Sequence, residues 1–207
     1  MQFRNVDKRR LVLVVLAVVL LGFTLSFLNK TNMGTDPCSL FTLGLSRKLG
    51  ISMGNIQAML NSLLLIIVIF CDRSQIGWGT LANMFLVGYS FDFFTWLNSL
   101  WIPDEIYTSM AVRIGITIPM LFIFVMAAAV YMAVQLGTAP YDAIPFIVAK
   151  KLPNIPFKLV RMAWDISFSV LGVLLGSTLG IVTVVMAFAL GPVISWASVK
   201  LVDKLLK

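Results

Sequence analysis

The sequence predicts an all-α fold, a polytopic membrane helix bundle made of two homologous repeats. Three observations carry that expectation. Of the 207 residues, 59% are hydrophobic and only 12% charged. Six apolar stretches are each long enough to cross a bilayer, and the second half of the chain reproduces the punctuation of the first. A water-soluble domain of this size cannot hide so much apolar surface, so lipid must solvate it. The formal charge of +7 does not argue for nucleic acid, because the basic residues gather at the ends of apolar runs, where cytoplasmic anchoring explains them.

Taken in order, the chain opens with basic residues between Arg4 and Arg10 and an apolar run from Leu11 to Leu28. That pattern mimics a secretory signal. The run is too long for a signal core and no small-x-small site follows it, so it reads as a first span over about 11–29. Further spans are predicted over 54–71, 76–97, 112–136, 157–176 and 179–199. Between the first and second spans, and again between the fourth and fifth, lie shorter segments, Pro37 to Leu49 and Pro140 to Leu152. As helices these would be about 20 Å long, short of the roughly 30 Å hydrocarbon core. Each begins with a proline suited to a first helical turn, with Asp36, or Thr138 in the second copy, placed to cap it.

A shift of 103 positions superposes the halves without a gap. Gly34, Thr35 and Pro37 fall on Gly137, Thr138 and Pro140, and Lys48 and Leu49 fall on Lys151 and Leu152. Met59 falls on Met162, and Gly77, Thr80, Phe85 and Gly88 fall on Gly180, Thr183, Phe188 and Gly191. Apolar coincidences are expected in so hydrophobic a chain; matched glycines, prolines and threonines are not. Residues 1–103 thus form a first membrane repeat and 104–207 a second, each reading long, short, long, long.

Orientation depends on whether the short segments cross. If they do not, six spans put both termini inside, with twelve basic residues cytoplasmic and four outside. If they cross, eight spans give fourteen against two. Charge counting does not separate these. The short lengths, and a loop from Asn98 to Ser109 that reads as extracytoplasmic, favour six spans, with the short segments re-entrant or interfacial and the two repeats inverted.

The paired Gly-Thr-Asp-Pro at Gly34 and Gly-Thr-Ala-Pro at Gly137, with Gly77-Trp78-Gly79-Thr80 and Leu190-Gly191-Pro192, give the chain its likeness. It resembles the bacterial YczE/YyaS/YitT family of small membrane proteins over nearly its whole length. The resemblance implies a multi-pass protein of the bacterial cytoplasmic membrane, without the soluble C-terminal domain of some relatives. It implies no substrate.

Charged and polar residues inside a membrane are costly and need a partner, a water-filled cavity or a function. Arg161 and Asp165, four apart in the fifth span, can pair as an internal tie or form a substrate or proton site. Gln57 and Asn61 make the matching polar face in the first repeat, where Ala58 and Ser62 replace the charges; interhelical hydrogen bonding is their plainer role. Asp36 and Asp142 stand at the starts of the short helices, where a carboxylate also serves as a cap, and Tyr141 lies beside Asp142. Trp164 adjoins Asp165, whereas Trp96 and Trp101 read as interface anchors. Asn83 and Asp92 are polar positions in an aromatic third span, Asp92 near enough to its edge to snorkel. The glycines 77, 79, 88, 180 and 191 suit close helix approach.

Cys38 and Cys71 lack metal-ligand spacing and read as membrane-buried thiols, and the absence of histidine excludes imidazole chemistry. No nucleotide-binding loop, activated nucleophile or metal cluster is present, so no enzyme, cofactor or metal is expected, and active transport would draw on an ion gradient or a separate ATPase. The leading expectation is a small-molecule or ion transporter with its site between the repeats. Thr35, Asp36, Gln57, Asn61, Thr138, Tyr141, Asp142, Arg161, Trp164 and Asp165 are the expected lining. An hourglass channel and a non-catalytic subunit of a larger complex are the alternatives, with the lipid bilayer, a solute and either a second copy or a partner subunit as the expected associates.

Overall fold

The structure is a computed structural model and describes residues 7–188. Among the described residues it is helical without strands. The helices are α1 (Lys8–Thr31), α2 (Pro37–Leu49), α3 (Met53–Cys71), α4 (Trp78–Trp101), α5 (Met110–Ala133), α6 (Pro140–Lys151) and α7 (Phe157–Leu174). An eighth, α8, runs over 181–188 to the edge of the description. The predicted sixth span, 179–199, and Gly191 therefore lie partly or wholly outside the described residues.

Helices α1, α3 and α5 are long and apolar enough to cross a membrane. Helix α4 is as long as α1 but interrupts its apolar run with Asn83 and Asp92, and α7 carries Lys158, Arg161 and Asp165. Local chemistry sets most boundaries. Asp7 caps α1 by accepting the Arg9 N–H, and Asn32 ends it in the left-handed region. Pro37 opens α2, Asp36 accepts the Ser39 N–H, and Gly50 closes it at φ 67°. Helix α6 begins at Pro140 with Ala139 as its unhelped N-cap. Thr138 therefore does not cap α6; its hydroxyl donates to Gln75 Oε1 at 3.1 Å and its N–H to the Gln75 carbonyl at 2.9 Å.

The core forms around α1, where Val14, Val18 and Leu28 are fully buried against residues of α4 and α5. Helices α1 and α5 run antiparallel: Arg113, in the first turn of α5, donates to the carbonyls of Thr31 and Asn32 at the end of α1. The Thr117 hydroxyl meets that of Thr31 at 3.1 Å. Helix α2 packs along α7, and α6 along α3.

Two junctions use positions 103 apart in both partners. The Gly79 N–H donates to the Leu136 carbonyl at 2.7 Å, and the Val182 N–H to the Met33 carbonyl at 3.0 Å. Beside these bonds, Gly34 and Gly137 each adopt φ 103°, a conformation that a side chain rarely tolerates. A Cβ on Gly34 would run into Thr183 and Gly180; one on Gly137 would run into Thr80 and Gly77. The turn before each short helix thus docks on the start of the fourth helix of the opposite half.

These junctions fold the short helices back. Asp36, at the start of α2, shares a cavity with Leu21 and Leu25, well inside α1. Arg47, near the other end of α2, reaches Asn29 at the terminus of α1, donating to its side-chain oxygen at 3.1 Å. The connection from α1 therefore dips inward and α2 climbs back out. Helix α6 does the same at the opposite end, starting beside Phe124, Ala128 and Tyr131 and finishing where Lys150 pairs with Asp72 at 3.5 Å.

Candidate functional site

Because both short helices start inside the bundle, their first turns meet at one cavity of about 120 Å³. Helix α2 contributes Cys38 and Ser39, with its cap Asp36; α6 contributes Tyr141 and Asp142; α3 contributes Gln57 and Asn61; α7 contributes Arg161. Asn83 and Val87 of α4, Leu21 and Leu25 of α1, and Phe124, Ala128, Tyr131 and Met132 of α5 form the remaining wall together with Ala139, Phe146 and Phe157.

On one side stands a charged cluster that ties α6 to α7. Arg161 Nε donates to Asp165 Oδ2 at 2.8 Å, and its Nη1 donates to Asp142 Oδ1. Its guanidinium carbon lies 5.4 Å from the centre of the Tyr141 ring, and the Tyr141 hydroxyl donates to Asp165 Oδ1 at 2.8 Å. Asp165 is fully buried with both side-chain oxygens bonded. The planar guanidinium can serve two carboxylates at once, which an ammonium would not do with the same geometry.

The opposite side is under-bonded. Asp36 Oδ2 accepts the Ser39 N–H at 3.1 Å, while its buried Oδ1 has no protein partner. The Asn61 Nδ2 donates to the Gln57 carbonyl one turn back at 3.0 Å, which leaves Asn61 Oδ1 unpaired. Gln57 Oε1 is unpaired as well. Gln57 and Asn61 are 5% and 1% exposed, so bulk water does not satisfy them. Among the described residues neither amide side chain bonds across to another helix, as interhelical glue would.

Two further chambers flank this cavity. One, of about 310 Å³, is lined by Ser74, Gln75, Met132, Gln135, Gly137, Thr138 and Phe146. The other, of about 10 Å³, includes Ser177, Thr178, Asn29, Asn32, Gly34, Thr35 and Leu43, the positions that match these seven under the 103-residue shift. The large chamber shares Met132 and Phe146 with the central cavity; the small one shares no residue with it. Phe146 lies stacked on Phe157, ring centres 4.5 Å apart, while on the small side Arg47 is drawn onto Asn29.

Of the expected lining, Asp36, Gln57, Asn61, Tyr141, Asp142 and Arg161 come together in the cavity. Asp165 stands behind Arg161 and Tyr141. Thr35 and Thr138 belong to the two flanking chambers. Trp164 packs on Phe168 and Tyr141, with ring centres at 4.7 and 5.7 Å, and lies off the cavity wall. Asp92 does not snorkel: its Oδ2 accepts the Gly54 N–H at 2.8 Å and so supports the first turn of α3. Asn83, Tyr131, Phe146 and Phe157 were not expected at the site. Asn83 carried a signal as an amide in an apolar helix; the aromatic residues look like any others in a membrane span.

Among the described residues, no group of His, Cys, Asp or Glu could hold a metal ion. A family model described as a family of unknown function matches residues 8–199. No curated protein matches the chain, and no solved structure does.

Proposed function

The chain belongs to DUF6198, a family of unknown function, so we propose its role from the cavity itself: it is a gradient-driven transporter that carries a small solute or ion by alternating access between two inverted repeats. The likeness to the YczE/YyaS/YitT proteins fits this reading and names no cargo. The observation that carries it is the pair of flanking chambers. They are built from equivalent positions, yet one measures about 310 Å³ and shares two wall residues with the central cavity, while the other measures about 10 Å³ and shares none.

Inverted repeats offer a reason for that inequality. If each repeat can adopt the conformation of the other, the bundle has two states of similar energy, open to opposite sides of one central site. Antiparallel α1 and α5, which are equivalent under the repeat, support the inversion. The re-entrant paths of α2 and α6 support six crossings, with the short helices stopping at mid-depth. The open chamber faces the side of Arg73, Lys150 and Lys151, which the positive-inside rule assigns to the cytoplasm of a bacterial cell. A channel would instead need both chambers open together.

Cysteine labelling tests the mechanism. With Cys38 and Cys71 replaced by alanine, Thr138→Cys reacts with a membrane-impermeant maleimide from the cytoplasmic side, while Thr35→Cys is protected in the same state. Conditions that expose Thr35→Cys protect Thr138→Cys. Both sites reacting at once in a single molecule would mean a continuous pore and would end the transporter reading.

A further inference from the structure

We infer that the cavity takes a small organic cation, an alkylammonium or guanidinium group with a short apolar tail. The inference rests on the transport reading for the route by which such a cation arrives, but the ligand chemistry follows from the cavity alone. The three unpaired atoms that face it, Asp36 Oδ1, Gln57 Oε1 and Asn61 Oδ1, are all oxygens. The orientation of Asn61 is set by its own amide, whose N–H₂ is committed to the Gln57 carbonyl at 3.0 Å. A buried acceptor without a donor is costly, so the complementary ligand must donate hydrogen bonds. An anion or a carbonyl solute would bring acceptors to acceptors.

Charge points the same way. Among the described residues Arg161 is the one cation lining the cavity, and two of its five donors are engaged, by Asp142 and Asp165. Among the described residues Asp36 makes no ion pair, which gives three carboxyl groups to one guanidinium. An ammonium has three donors and no acceptor, which matches the three oxygens; a guanidinium offers five donors in a plane. The wall opposite, with Leu21, Val87, Phe124 and Tyr131, is apolar and aromatic and suits a short hydrocarbon tail and a cation near a ring face. A cavity of about 120 Å³ admits only a small molecule.

The test is thermal stabilisation of the purified full chain in detergent by butylammonium and methylguanidinium, with 1-butanol, butyrate, NaCl and KCl at matched concentration. Butylammonium and methylguanidinium are expected to stabilise, and the other four are not. Asp36→Asn keeps an oxygen to accept the Ser39 N–H and so keeps the α2 cap; it weakens the two cations by about tenfold or more. Asn61→Leu, a helix-compatible change on a different element, weakens them several-fold. Equal stabilisation by butanol or butyrate, or full binding by both variants, overturns the inference. An equal response to Na⁺ or K⁺ that Asp36→Asn abolishes overturns it in favour of an inorganic cation. Flux of methylguanidinium, which stays charged, is measured separately in proteoliposomes. Binding without flux sinks the transport reading and leaves the ligand class standing; saturable flux of butyrate does the reverse.

Discussion

Arg161 is the residue on which the buried polar cluster depends. Among the described residues it is the only counter-charge paired with Asp142 and Asp165, and Asp165 has no exposure through which water could replace it. Breaking a buried ion pair from one side strands the remaining charge, at a cost of about 3–5 kcal/mol. Arg161→Ala is therefore expected to lower the unfolding midpoint in detergent sharply, while Asp165→Asn lowers it less. In Asp165→Asn the guanidinium keeps Asp142, and the amide oxygen can still accept the Tyr141 hydroxyl. Equal loss in the two variants would show that Asp142 does not hold the arginine. The pairing of Arg161 with Asp165 was legible from their spacing of four on one helix. The arrival of Asp142 and Tyr141 was not, because the segment that brings them is set by how α6 docks.

At the scale of the element, the turns before α2 and α6 decide where the short helices start. Gly34 and Gly137, both at φ 103°, lie against backbone of the opposite half. Alanine at either position meets an unfavourable backbone conformation, about 1–3 kcal/mol, and a steric clash besides. Each of Gly34→Ala and Gly137→Ala is expected to destabilise the fold by at least about 2 kcal/mol, and Gly50→Ala by less, since nothing lies near a Cβ there. Denaturant midpoints in detergent check the order. The turn between α3 and α4 gives a pH signature. Hydrogen bonds from the Ser74 side chain and backbone, with the Lys150 charge, hold the Asp72 carboxyl below its ordinary value. A carboxyl lowered in the folded state adds stability above its ordinary range and loses it as pH falls through the lowered value. Asp72→Asn should flatten that acid limb of stability, and an unchanged limb would assign it to other groups.

Across the whole molecule, the proposed transport cycle treats the two flanking chambers as equivalent surfaces that small energies exchange. The Arg47 bond to Asn29 is one contact that the closed chamber has and its counterpart lacks, since Lys150 and Met132 occupy the matching positions. Such a bond contributes about 1 kcal/mol, enough to move a two-state population by about fivefold. Arg47→Ala is expected to raise maleimide labelling of Thr35→Cys by about that factor and to lower that of Thr138→Cys. Labelling that rises at both positions would indicate loosening instead of exchange.

The helical class, three apolar helices long enough to cross a membrane and the two short helices were readable from the sequence, because membrane helices announce themselves by length and apolarity, and their turns by proline and glycine. Six of the ten expected site residues reached the cavity for a related reason: polar groups in an apolar span are rare, and they converge where lipid is excluded. What tertiary structure alone decided was which polar atoms remain unpaired and which chamber is the larger. The sequence places Thr35 and Thr138 in equivalent settings, yet one lies in a chamber of about 10 Å³ and the other in one of about 310 Å³. Positions that match under the 103-residue shift have similar local preferences, so only tertiary packing can make their environments differ.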